Sequence, residues 1–166
     1  MKFTDLAKEN IGWLKTLDPE NSGVISSRIR LARNLKKYPF PGTATQAELI
    51  RARDNVFEAA DKIDYFKGSR KINLEDCSDI DKTLLMERRI ISHELAESVY
   101  AAGIIIDKRE QLSIMINEED HLRIQFLTGG LHLEDSLEVI NRIEEELDGI
   151  LDFAYSSRWG YLTACP

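Results

Sequence analysis

The chain has 166 residues, a length that suits one domain with its own hydrophobic core. Apolar residues make up 43% and charged residues 31%, which is typical of a folded soluble protein rather than a disordered one. The net charge of -7 argues against nucleic-acid or membrane partners, so any bound anion needs a local basic cluster. Because no segment has the roughly 20 apolar residues that span a bilayer, and Cys77 and Cys165 are typical of free thiols, we expect a cytoplasmic protein.

The chain opens with a predicted short helix, which ends before Pro19. Residues 24–31 then alternate between apolar and polar side chains, with Ile29 and Leu31 on one face and Arg28 and Arg30 on the other. This pattern predicts a half-buried strand that presents two arginines on its polar face.

Helices dominate the middle of the chain. Thr43 or Thr45 can cap the first of them, with Gln46 or Glu48 completing a capping box, and this helix is predicted to end near residue 66. Two shorter helices are predicted over residues 81–91 and 93–100, the second of them ended by Gly103.

A hairpin and a long helix follow. Residues 112–127 alternate on both sides of the turn-forming residues 117–120, which predicts two antiparallel strands. The next helix carries an apolar stripe, with residues 144–146 expected to be partly solvated; the stripe comprises Leu133, Leu137, Ile140, Leu147 and Leu151. A last strand is predicted over residues 159–164. Hairpin strands with helices between them indicate an α+β fold with an antiparallel sheet, in a single domain over residues 1–166.

Arginines on the polar strand faces are the first candidates for a binding site. Arg28 and Arg30 share one such face, and Arg123 lies on the polar face of another strand. Exposed arginines on a solvated face are one interpretation. The other is a phosphate site, since the planar guanidinium group donates two hydrogen bonds at once to phosphate oxygens.

The acidic turn at 117–120 also leaves alternatives open. Consecutive carboxylates on a hairpin tip suit a solvated turn, a divalent-metal site, or a group that handles a cationic substrate. Cys165 at the end of an apolar strand suits either a small buried side chain or a reactive thiol. The three histidines lack the spacing of a zinc site, and no glycine-rich phosphate loop is present.

Three segments, in the same order, resemble motifs of the phosphagen (ATP:guanidino) kinases. Residues 24–35 resemble the Ser-Ser/Thr-Arg-[Val/Ile]-Arg segment, and residues 117–123 match the Asn-Glu-Glu-Asp-His-x-Arg signature in full. Residues 161–166 look like the start of the Cys-Pro-[Ser/Thr]-Asn segment. The arginine-bearing strand begins after only about 23 residues, without the helical domain of the metabolic enzymes, and this resembles the bacterial protein-arginine kinases.

The resemblance implies a glutamine-synthetase-like catalytic domain that transfers the γ-phosphoryl group of ATP to a protein arginine. By this likeness Arg28, Arg30 and Arg123 bind the ATP phosphates, and Glu119 is the catalytic carboxylate that pairs with the substrate guanidinium. Glu118 gives support on the substrate side, and Cys165 lies beside the guanidinium. ATP and Mg²⁺ are the implied cofactors, with the magnesium ion held mainly by the nucleotide and not by a protein metal site.

The family pattern continues past residue 166 with further phosphate-binding arginines and a second substrate-facing glutamate. The sequence therefore predicts weak activity or none for this chain alone, with a catalytically inactive binding or regulatory module as the alternative. The implied partners are a protein arginine substrate and either the missing C-terminal half or an activator protein. We also expect uncovered apolar surface near the last strand and the helix containing Leu137 and Ile140, and self-association into a homo-oligomer through it.

Overall fold

The structure is a computed structural model that describes residues 7–8, 10–16, 23–98 and 101–164. The four α-helices of this part of the chain are α1 (Gln46–Asp61), α2 (Asp79–Glu87), α3 (His93–Glu97) and α4 (Leu133–Leu151). The strands are β1 (Ser26–Arg33), β2 (Arg70–Asn73), β3 (Gly103–Ile106), β4 (Leu112–Ile116), β5 (Leu122–Gly129), β6 (Tyr155–Ser156) and β7 (Gly160–Tyr161). In the described ranges, none of these helices has the length and apolar character that crossing a membrane requires.

Strands β1 to β5 form one sheet in the order β1-β5-β4-β3-β2, and each neighbouring pair is antiparallel. The predicted α+β class with an antiparallel sheet is therefore confirmed. The hairpin predicted over residues 112–127 is also present as β4 and β5. Strands β6 and β7 form a separate two-stranded ribbon.

The two faces of the sheet are covered differently. One face, which includes Ile29, Ile114 and Ile124, packs against apolar side chains of α1 and α4. On the opposite face, Ile104 and Met115 pack under α2 and α3. These short helices cover the β2–β4 side of that face. The 3₁₀ helix Gly12–Thr16 contacts β5, whereas Arg28 and Arg30 on β1 stay exposed.

Local sequence signals place α1 and α2. Thr45 caps α1 and forms the predicted capping box with Glu48, so that each side chain bonds the other residue's backbone N–H. Ser78 and Asp81 form the same motif at α2, which begins two residues before the predicted start. Both helices are thereby fixed at their N-termini by local hydrogen bonds.

Several sequence expectations were wrong. Gly103 does not end a helix but begins β3, and the expected strand over 159–164 is reduced to the β7 residues of the small ribbon. Glu144 is not solvated: it is buried in an ion pair with Arg33, with 2.7 Å between Oε1 and Nε. The Arg33 guanidinium also lies 3.6 Å from the ring centre of Tyr161, so this contact joins β1, α4 and β7.

The segment before β1 is described in part. A 3₁₀ helix, Gly12–Thr16, lies within the expected opening helix. Residues 7–8 and 10–11 are not helical, and the other residues of that expectation lie outside the described ranges. Trp13 is buried and donates from its indole nitrogen to the Arg88 carbonyl at 3.3 Å. Arg88 in turn forms a buried ion pair with Glu110, with 2.6 Å between its Nη2 and Oε2.

Candidate active site on the open face of the sheet

The register of the sheet places the predicted arginines together. Arg30 pairs with Gln125 across β1 and β5, and Arg28 pairs with Leu127. Paired residues of an antiparallel sheet share a face, as do residues two apart along a strand. Arg123 therefore lies on the same face as Arg28 and Arg30, on the side that α2 and α3 leave uncovered. The expectation that the three arginines share one sheet face is confirmed.

A fourth guanidinium group, that of Arg89, lies close enough to Arg28 to repel it electrostatically. Burial is the largest cause that lowers the pKa of Arg28, and the positive charges of Arg30, Arg89 and Arg123 lower it further. Like charges lower the pKa of a guanidinium because each one penalises the protonated form. The open face is thus a site of concentrated positive charge in an acidic protein, and an anion would relieve the repulsion.

Arg89 is held there by the end of α2. Its backbone has a φ of 61°, and the N–H groups of Arg89 and Ile90 bond to the carbonyls of Met86 and Leu85. This pattern is a Schellman motif, which usually has glycine at the position of Arg89. The Gln125 side chain also donates to the Arg89 carbonyl at 2.7 Å, which attaches the turn to β5.

The two glutamates of the acidic turn have different surroundings. Glu118 is buried, with 3% of its side chain exposed, and its Oε2 lies 2.5 Å from Nη1 of Arg123. Glu119 has 55% of its side chain exposed, and its Oε2 lies 3.3 Å from Nη2 of the same guanidinium. Of the two carboxylates, the exposed one of Glu119 is therefore the more accessible to a second molecule.

Asp120 and His121 face the interior. The side chain of the fully buried Asn34 donates to Asp120 Oδ1 and accepts from the His121 N–H at 2.9 Å. His121 Nδ1 accepts from the Leu35 N–H at 3.2 Å, and burial lowers the pKa of this imidazole to about 4. These contacts fix the acidic turn to the end of β1.

The same network reaches the segment that precedes Cys165. Asp120 Oδ1 accepts from the Ala164 N–H at 2.7 Å, and the Asn34 amide donates to the Leu162 carbonyl at 3.2 Å. Cys165 itself lies outside the described residues. Asp120 therefore joins the acidic turn to the backbone of the residue just before this cysteine.

Some residues of the site were not predicted from the sequence. Arg89 was missed because a left-handed position after a helix usually indicates glycine, and Asn34 because a polar residue after a strand usually indicates a turn. Ser92 is the N-cap of α3, and its hydroxyl also donates to Glu118 Oε1. A serine before a predicted helix indicates the cap, but it carries no signal for this second contact.

Comparisons with known proteins identify the family of the chain. The family model described as ATP:guanido phosphotransferase, C-terminal catalytic domain, matches residues 51–166. A protein-arginine kinase of Halothermothrix orenii is 39% identical over 167 residues, which cover 100% of this chain and 48% of that protein. A protein-arginine kinase of Clostridium kluyveri is 43% identical over 156 residues, covering 93% of this chain and 45% of the relative. The chain thus spans about half the length of these curated relatives.

Solved structures share the fold. The substrate-free duplicated taurocyamine kinase of Schistosoma mansoni superimposes with a TM-score of 0.80 at 25% identity, over 96% of this chain and 25% of that one. Lombricine kinase superimposes with a TM-score of 0.79 at 20% identity, over 95% of this chain and 48% of that one. The second likeness bears on the fold alone.

Proposed function

Because the chain belongs to the ATP:guanido phosphotransferase family, we propose that it is the part of a protein-arginine kinase that binds the ATP phosphates and carries one catalytic carboxylate. The observation that carries this proposal is the open sheet face on which Arg28, Arg30 and Arg123 lie together. The choice of protein arginine as the substrate rests on the relatives named protein-arginine kinase.

Arginines have the charge and geometry to bind the ATP phosphates in this reaction. Negative charge spreads over the oxygens of the transferring phosphoryl group, and fixed guanidinium groups stabilise it with paired hydrogen bonds. In this proposal Arg28, Arg30 and Arg123 hold the phosphates, and Arg89 adds a fourth positive charge from the end of α2. The polyphosphate would also relieve the repulsion that lowers the pKa of Arg28.

Glu119 is suited to bind and deprotonate the substrate guanidinium. A free guanidinium has a pKa above about 12, so it is a poor nucleophile until a carboxylate aligns it and accepts a proton. The deprotonated nitrogen would attack the γ-phosphorus while the bond to the β–γ bridging oxygen breaks, and ADP leaves with that electron pair. The exposed Glu119 carboxylate would accept the proton, and Cys165 would lie beside the guanidinium.

Magnesium is proposed to enter with the nucleotide. In the described ranges no three histidine, cysteine or carboxylate side chains converge to hold a metal ion. The open face offers guanidinium groups and the exposed carboxylate of Glu119, a donor set that fits an ion coordinated mainly by ATP oxygens. When bound, Mg²⁺ neutralises charge on the phosphates, and the arginines of this chain position them.

The test is phosphoarginine formation on an unfolded basic protein with Mg-ATP. We expect weak or absent transfer by the chain alone, because phosphate positioning and charge stabilisation act as a unit and the relatives are twice as long. Adding the C-terminal half of the Halothermothrix orenii relative should restore transfer, and Glu119→Gln should abolish it.

Glu138→Gln is the matched control, since this exposed glutamate lies on α4, across the sheet from the arginines. Robust turnover by the 166-residue chain alone would show that the site needs no further segment. Restored transfer that survives Glu119→Gln would contradict the catalytic role of this carboxylate.

A further inference from the structure

Glu118 contacts two elements at once, the strand that carries Arg123 and the start of α3. Its Oε2 lies 2.5 Å from Arg123 Nη1, and its Oε1 accepts a hydrogen bond from the Ser92 hydroxyl. Ser92 Oγ also accepts from the Leu95 N–H at 3.0 Å as the N-cap of α3. Oε1 is therefore hydrogen-bonded, whereas Oε2 is buried in the ion pair with Arg123 and has no hydrogen-bond partner among the described residues.

Glu118 and Glu119 differ in how far their side chains are buried. Only 3% of the Glu118 side chain is exposed, against 55% for Glu119, although the two residues are adjacent and contact the same guanidinium. A carboxylate buried to this extent is costly unless it is paired and hydrogen-bonded, and both conditions hold here. An internal carboxylate with one oxygen in an ion pair and the other in a hydrogen bond is poorly placed to meet a substrate guanidinium.

We propose that Glu118 is a positioning residue that fixes the Arg123 guanidinium on the open face, and that Ser92 fixes Glu118. This inference rests on the proposed function and replaces the substrate-side support that the sequence suggests for Glu118. The Arg123 side chain has several rotatable bonds, and a buried partner on Nη1 holds it in one orientation. It then presents its remaining donors to a phosphate without having to be ordered when the ligand binds.

Charge alone and positioning predict opposite effects of Glu118→Gln on nucleotide binding. Removing a negative charge near a phosphate site strengthens polyphosphate binding if only long-range electrostatics operates. Loss of a positioning partner weakens it, because the freed guanidinium must be ordered again on binding. The direction of the change therefore decides between the two.

The first measurement is the Mg-ATP dissociation constant of the chain by equilibrium dialysis at fixed salt. Glu118→Gln should weaken binding about fivefold, the size expected when one long side chain must be ordered on binding. The matched variant Glu138→Gln removes the same charge from an exposed glutamate on α4, across the sheet from the arginines, and should leave binding unchanged. Glu118→Gln binding as tightly as the wild type would overturn the positioning role.

The second measurement needs no nucleotide. Nuclear magnetic resonance of the arginine side-chain Nε–H groups, with Arg123 assigned by its loss in Arg123→Lys, reports whether this guanidinium is ordered. The signal should be broadened or lost in Glu118→Gln and retained in Glu138→Gln. An unchanged Arg123 signal in Glu118→Gln would overturn the inference.

A serine pair tests the second contact of Glu118. Ser92→Ala removes a helix cap together with the Glu118 contact, whereas Ser78→Ala removes only the cap of α2. Only Ser92→Ala should weaken Mg-ATP binding, and this comparison carries the test if Glu118→Gln does not fold. Equal effects of the two alanines would overturn the inference, whereas a wild-type chain that does not bind Mg-ATP would overturn the proposed function.

Discussion

Arg89 combines backbone strain with a positive charge. A non-glycine residue with a φ of 61° costs about 1 kcal/mol relative to glycine, and such positions cluster at functional sites. We expect Arg89→Gly to raise the free energy of unfolding by about 0.5–1 kcal/mol and to weaken Mg-ATP binding. Arg89→Gln keeps the strained position but loses the charge, so it should weaken binding without any gain in stability.

Urea denaturation and equilibrium dialysis on the same two variants separate these effects. A gain in stability from Arg89→Gly with unchanged nucleotide affinity would show that the left-handed position serves the turn and not the phosphate site. Arg89→Gln binding as tightly as the wild type would exclude a contribution of the fourth charge.

His121 should make the stability of the fold depend on pH. Burial lowers the pKa of the folded imidazole to about 4 from an ordinary value of 6.5, and the charge of Asp120 opposes the shift only in part. The unfolded chain therefore binds a proton below pH 6.5 that the folded chain does not, so stability falls as the pH drops from 6.5 to 4. The loss should reach at most about 3 kcal/mol.

Urea denaturation at several pH values checks this expectation. His121→Asn keeps an acceptor for the Leu35 N–H and should flatten the pH dependence over this range. His93→Asn is the control, because 76% of the His93 side chain is exposed and its replacement should leave the profile unchanged. A His121→Asn profile as steep as that of the wild type would assign the loss to carboxylates instead.

At the scale of elements, Asn34 joins three segments that are distant in sequence. It is fully buried, donates to Asp120 and to the Leu162 carbonyl, and accepts from the His121 N–H. Asn34→Ala should lower the free energy of unfolding by about 3 kcal/mol, since it leaves a buried N–H and a buried carboxylate without this partner. Urea denaturation measures the loss.

Asn55→Ala is the matched control for Asn34→Ala. The Asn55 side chain donates to the Tyr38 hydroxyl at 2.8 Å and is half-buried, so its replacement should cost about 1 kcal/mol or less. Equal losses from the two alanines would mean that the hydrogen bonds of Asn34 do not join the segments cooperatively.

The elements that the sequence predicts well are those with local signals. The capping box at Thr45 fixes the start of α1, and alternation fixes β1 and the hairpin because one face of each strand is polar. Strand β3 was missed because Gly103–Ile106 is buried on both faces and does not alternate. The burial of Glu144 depends on its pairing with Arg33, 111 residues away, which no local pattern indicates.

The residues of the site also fall into those that a local sequence pattern indicates and those that it does not. Alternation of charged and apolar side chains in a strand predicts Arg28 and Arg30 as site residues. The signature at 117–123 predicts Glu119 and Arg123. The different environments of Glu118 and Glu119 could not be predicted, because adjacent identical residues differ only in what the rest of the chain places around them. Ser92 lies at the start of α3 and Arg89 at the end of α2, and folding brings both helix ends to the site although neither is near it in sequence.

At the scale of the whole molecule, apolar surface remains exposed on the ribbon of β6 and β7. Tyr155 is 63% exposed and Trp159 is 70% exposed, while on α4 Leu137 is 45% exposed and Ile140 is fully buried. The uncovered apolar surface that the sequence predicts near the last strand and on α4 is thus present at Tyr155, Trp159 and Leu137. Ile140 does not contribute to it, because this side chain is buried. Burying one large ring of this exposure contributes about 3 kcal/mol before the entropy cost of association.

We therefore expect concentration-dependent self-association that involves the ribbon. Sedimentation velocity over a range of concentrations should show a rising weight-average mass for the wild type, and Trp159→Ser should reduce the association. Ile80→Ser is the matched control: Ile80 is 81% exposed in the first turn of α2, away from the ribbon, so it should leave association unchanged. A wild-type chain that stays monomeric at high concentration would contradict the prediction. Equal effects of the two serines would show that exposed apolar area in general, and not the two exposed aromatic rings of the ribbon, drives the contact.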